Sequence, residues 1–210
     1  MGSGNGTTGK ENEVQVTKTF EIRIHVKHGS MTLNKKINGK VAINYVKRIV
    51  KKEFNRVAKE SSKKKVKKGF EISNKKSPGS SMRVFDVYII RQKVKKALDI
   101  AKNNHKVDLE ESTVESHFKT ESGFGTKPET VSDTVAFALF ISDFKLSGPI
   151  GTKTKKKNMK NLAEHIIHEL GHTMGGEHKD GGVMSSKDKG NRKFKSVSVA
   201  KINKTLEDLV

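Results

Sequence analysis

The segment His168-Glu169-Leu170-Gly171-His172-Thr173-Met174-Gly175-Gly176-Glu177-His178 constrains this chain more than any other. On a helix, residues four apart stand one turn above each other on one face, so His168 and His172 can offer ring nitrogens to a single ion. A straight helix would carry His178 away, but Gly175 can adopt the left-handed conformation that ends a helix and turns the chain back. Three imidazoles then converge on one divalent cation and leave a coordination position open, as in a catalytic zinc site. Glu169 lies beside the first ligand, where its carboxylate reaches a water in that position rather than the metal, the place of a general base. Ala163, Ile166, Ile167, Leu170 and Met174 fall at core-facing spacing, so one side of this helix is buried and the ligand side lines a cleft. Asn158 is a candidate N-cap, and Asn161 with Glu164 offers a second start in capping-box spacing.

The pattern fixes five positions in eleven residues and is followed closely by Gly182-Val183-Met184. In both respects it resembles the metzincin clan of zinc endopeptidases. The resemblance implies an α+β fold with an α/β-type upper subdomain, in which a twisted mixed sheet is backed by one helix and underlain by the zinc helix. A small lower subdomain with a terminal helix follows the third ligand. On this chain the division would be 14–178 and 179–210, with residues 1–13 as a flexible lead. The resemblance also implies one catalytic Zn2+ held by His168, His172 and His178, with Met184 as the turn methionine that floors the site. Glu169 would be general base and acid in peptide-bond hydrolysis by a zinc-activated water. A secreted or cell-surface address follows from the family. Lys179, after the third His, is none of the Glu, Asp, Ser or Pro that mark familiar subfamilies, so the subfamily stays open, and the absence of cysteine argues against archaemetzincins.

A length of 210 residues suits one compact domain, expected as a monomer, that a cleft can divide unequally. No run of about eighteen apolar residues is present and the N-terminus has no apolar stretch, so neither a membrane span nor a signal peptide is expected. With no Cys, disulfides, thiolate metal sites and a cysteine latency switch are excluded. The net charge of +20 and the runs Lys63-Lys64-Lys65, Lys67-Lys68 and Lys155-Lys156-Lys157 would suit an acidic partner. The cations are nearly all lysine, however. With six arginines, two tyrosines and no tryptophan, base readers and stacking platforms are scarce, which disfavours nucleic acid as the partner.

Residues 1–13 cannot bury enough apolar area to order themselves. Thr19–Val26 alternates apolar and polar and predicts a half-buried strand. Asn38 to about Lys59 shifts to helical period, with Ala42, Tyr45, Val46, Ile49, Val50, Phe54 and Val57 on one stripe. Phe70–Ile72 is a short weak strand and Met82–Ile90 a strong one. Val94–Asn103 suggests a short helix, and Asp108–Pro128 is polar and contains glycine. The apolar run Thr134–Ile141 reads as a central strand. The lysine-rich Thr152–Lys157 is expected as a surface loop leading to the zinc helix. A polar loop to about Lys195 and a helix from near Ser198, with Val199, Ile202, Leu206 and Leu209 inward, complete the chain.

The remaining histidines have simpler expectations. His25 belongs to the polar side of its strand, His28 lies beyond the strand, and His105 and His117 fall in polar stretches, so all four are expected at the surface. His165 sits about 10 Å along the axis from His172, at about 1.5 Å per residue, too far to share one ion with it. Asp180 either bonds beneath the methionine turn or is a solvated loop acid. A protein or peptide substrate is expected to add as an extended strand to an exposed sheet edge near 109–130, with 185–195 shaping the pocket. The competing class is a basic nucleic-acid- or acidic-surface-binding protein whose zinc site is non-catalytic. A third reading is a latent peptidase whose cleft is filled by the N-terminal segment through Glu11 or Glu13.

Overall fold

The computed structural model describes residues 16–25, 39–60, 66–73, 83–90, 94–120, 123–125, 136–141, 153–185 and 192–209. The lead 1–13 with Glu11 and Glu13, His28, and positions 186–191 of the expected pocket wall lie outside them. Five strands form one mixed sheet in the order β2-β1-β3-β5-β4, built from β1 (Val16–His25), β2 (Val66–Ser73), β3 (Arg83–Ile89), β4 (Gly123–Gly125) and β5 (Ala136–Ile141). β1, β2, β3 and β5 run parallel, and among the described residues only the short edge strand β4 is antiparallel to its neighbour.

Alternation in the two described central strands separates two different faces. On one, Phe20, Ile22 and Ile24 of β1 stand beside Phe85, Val87 and Ile89 of β3, all nearly inaccessible to solvent. This face meets helix α1 (Gly39–Lys59) and helix α4 (Lys153–Thr173), which pack against each other. α1 takes the predicted stripe, with Val46, Val50, Phe54 and Val57 fully buried and Lys51 and Lys52 in solvent. The terminal helix α5 (Ser196–Asp208) adds Val199, Ile202 and Leu206 to that same core, so residues after the third histidine share one apolar cluster with those before it.

On the other face, Tyr88 and Ile90 start a smaller core with Ala97, Ile100, Ala101, Val114 and Phe118. Helix α2 (Val94–Ile100), a π-type turn (Ala101–His105) and helix α3 (Glu111–Thr120) supply it. α3 falls within a stretch whose sequence shows only sparse apolar spacing. Val114 and Phe118, four apart, are its two buried apolar residues, which is sufficient once α2 is there to receive them.

The start of α4 differs from expectation. α4 begins at Lys153, so Lys153–Lys157 form its first turns rather than a loop, and Asn158 and Asn161 lie inside the helix rather than capping it. Lysine is a good helix former whose charge stays in water, and the asparagines weaken a helix interior only slightly. No helix among the described residues is long and apolar enough to cross a membrane.

Candidate metal centre

α4 ends where the sequence requires it to end. The Gly176 N–H donates to the Gly171 carbonyl at 2.7 Å and the Gly175 N–H to that of His172 at 3.0 Å, the paired bonds of a Schellman cap. Gly175 makes this possible with φ +87°, a left-handed conformation that a side chain would strain. The chain then reverses, and a 3-10 turn over His178–Asp180 returns the third imidazole to the helix.

The three rings meet at their Nε2 atoms. His172 Nε2 is 3.0 Å from His168 Nε2 and 3.0 Å from His178 Nε2, and the last pair is 3.3 Å apart. The other nitrogens of the first two rings show where the protons are. His168 Nδ1 lies 2.7 Å from the Val183 carbonyl and His172 Nδ1 2.9 Å from that of Gly176. A carbonyl only accepts, so each Nδ1 carries a proton, and in the neutral ring the Nε2 atom then presents its lone pair. Lone pairs this close repel unless a cation lies among them, and one proton serves only one pair. Nitrogens on a tetrahedral zinc with bonds of about 2.0–2.1 Å are about 3.3–3.4 Å apart, close to the observed triangle. Carbonyl partners on the outer nitrogens are also the usual means of fixing a ligating ring and its tautomer. The donor set therefore fits zinc. Among the described residues no further His, Asp or Glu joins the triad.

Glu169 projects from the same helix as the first two ligands and is buried, against the edge strand. A Cβ at Gly123 of β4 would lie 2.7 Å from Glu169 Cγ and 2.8 Å from its Oε1, so the strand backbone backs this carboxylate directly. Met184 is fully buried, with its sulfur against Gly171, the residue before His172. The Phe194 ring packs against the same glycine and meets Phe54 of α1 edge-on at 5.6 Å.

Two groups of charged residues brace this centre. Glu53 of α1 accepts from the Phe194 N–H at 2.7 Å and pairs with Arg56, whose guanidinium also donates to the Phe194 carbonyl at 2.9 Å. The Glu53 carboxylate in turn holds the Arg56 pKa above its ordinary value. Asp180 is buried and structural, accepting from the Glu177 N–H at 2.9 Å and from Lys201 of α5 at 2.8 Å. Burial alone would push the Asp180 carboxyl up, but Lys201 and the Glu177 N–H hold it below its usual range. Glu177, in solvent, is pulled down to about 2 by Lys179 and Lys201.

Two histidines expected at the surface are elsewhere. His105 is buried, 2.9 Å from the Tyr88 hydroxyl, and burial lowers its pKa. His25 is half-buried, stacked on Tyr88 and 2.5 Å from Asp86. The polar side of β1 is not its solvent side near its end, because His25 stacks there on Tyr88, a member of the smaller core. Burial and Asp86 raise the Tyr88 phenol to about 12, so it stays a donor. His117 stays partly exposed, bonded to the Thr113 carbonyl at 2.8 Å, and His165 is outside the triad.

Gly123, Glu53, Phe194 and Lys201 were not legible as site residues. Their roles arise from contacts across up to 141 positions of sequence, for which no local pattern exists. Set beside known proteins, the chain matches no family model and no curated protein.

Proposed function

We propose that this chain is a zinc-dependent endopeptidase, with His168, His172 and His178 as metal ligands and Glu169 as general base and acid. The observation that carries the reading is the triangle of Nε2 atoms 3.0–3.3 Å apart, two of them on rings whose other nitrogen faces a backbone carbonyl. The likeness of HExxHxxGxxH plus Met184 to metzincins supports the same reaction class.

Zinc in such a site supplies Lewis acidity, which polarises a carbonyl and lets water act as a nucleophile near neutral pH. The rest is the work of the chain. The Glu169 carboxylate takes the proton from the attacking water and passes it to the departing amine. Gly123 lets that carboxylate lie tight against β4, which limits its motion. β4 is the end strand of the sheet, and a peptide laid along it as a further strand would run past Glu169 in extended form. The outer carbonyls of Val183 and Gly176 keep two ligand rings in the neutral tautomer a cation needs.

The test is digestion of a proteome-derived peptide library by the metal-loaded protein, with and without chelator, beside Glu169→Gln. Cleavage that stops on chelation, and that falls about 10²–10⁴-fold in the variant while zinc stays bound, is the expected result. Stoichiometric zinc with no cut in any peptide would overturn the reading. It would leave a binding protein with a non-catalytic ion as the alternative.

A further inference from the structure

α5 supplies none of the three histidines, yet one of its faces holds both sides of the loop that delivers the third. Thr205 donates its hydroxyl to the Met174 carbonyl at 3.0 Å, at the end of α4. One turn earlier on the same face, Lys201 Nζ reaches Glu177 Oε2 at 2.9 Å and the two oxygens of Asp180 at 2.8 and 3.1 Å. Glu177 and Asp180 flank His178 in the chain, and their bonds close the turn on which it sits.

The charges explain why this contact matters. Asp180 is a buried carboxylate paired with the Lys201 ammonium, and Glu177 brings a second negative charge alongside it. Without the ammonium, two carboxylates would share one tight turn, one of them shielded from water. Such an arrangement relaxes by opening and hydrating. The movement would fall on His178, the only ligand outside α4 and the exposed member of the triad. Lys179 makes a contrasting contact. It also pairs with Glu177, at 2.8 Å, but in solvent, where such a pair contributes little.

We propose that Lys201 is a positioning residue for the metal centre, fixing the 177–180 turn so that His178 stands in ligating geometry. This rests on the triad holding a divalent cation, as proposed above. It also has a consequence beyond affinity. If α5 sets the third ligand, a bound ion must in turn tighten the docking of α5, because coupling between two sites is reciprocal.

The experiment measures zinc affinity of the full chain by competition with a chromophoric chelator, together with amide exchange of α5 with and without zinc. Lys201→Met should weaken zinc about 10–100-fold, the range for loss of a partner outside the ligand set. Lys201→Arg should recover most of it, and Lys179→Met should stay within about twofold of the parent. Zinc should slow exchange in α5 of the parent and do so much less in Lys201→Met. Should that variant fold poorly, Lys201→Gln, which keeps a donor against Asp180, is expected to weaken zinc in the same direction. A folded Lys201→Met or Lys201→Gln that binds zinc as the parent does would overturn the role of Lys201. A parent chain that takes up no zinc would instead overturn the metal centre itself.

Discussion

Gly123 shows how much one missing side chain can decide. Its hydrogen allows the Glu169 carboxylate to lie where a methyl group would be, 2.7–2.8 Å from three of its atoms. Gly123→Ala must therefore displace either the edge strand or the acid, and the acid is the more easily moved. Misplacing a catalytic group by about 1 Å costs on the order of 10²-fold in rate, so kcat is expected to fall about 10–100-fold. Zinc content should not change, since no ligand touches Gly123, and metal analysis beside steady-state kinetics would check both. The clustering of the three histidines beside Glu169 was readable from sequence because all four lie in eleven residues governed by helix periodicity and a glycine stop. Gly123 was not, because nothing around it marks one glycine of a polar stretch as the neighbour of a residue 46 positions away.

Among the elements, α1 does more than back the sheet. Its Glu53 and Arg56 grip the backbone of Phe194, whose ring packs against Gly171 of α4. Glu53→Ala would leave the buried Phe194 N–H without its acceptor and Arg56 without its main partner. A loss of about 2 kcal/mol in unfolding free energy is expected from urea denaturation, in the range for stranded buried polar groups. Glu60→Ala, which removes the exposed partner of the same arginine, should change stability by less than about 0.5 kcal/mol. Strong periodicity made α1, β1 and β3 legible to within a few residues. The start of α4 was missed because a run of lysines looks alike in a loop and on the wet side of a helix. Only the apolar partner on the other side separates the two.

For the molecule as a whole, pH and charge act together. His105 is buried with its pKa lowered chiefly by loss of solvent, beside the Tyr88 hydroxyl and with Asp86 and His25 near enough to affect it. The unfolded chain therefore binds a proton at this residue before the folded one does, and stability falls as pH drops below the ordinary histidine range. Protonation also adds positive charge to a chain already at +20. Thermal midpoints are expected to decline from pH 7 to pH 5. Added salt should restore the part due to self-repulsion, and His105→Gln should reduce the rest. The sequence by itself determined the convergence of three histidines in one short segment and the period of the major elements, because residue spacing, helix periodicity and strand alternation are local quantities. Tertiary structure alone decided which polar residues are buried, which edge strand meets Glu169 and which distant cation holds the turn of His178. Those depend on what packs opposite a residue, and its sequence neighbours carry no record of that.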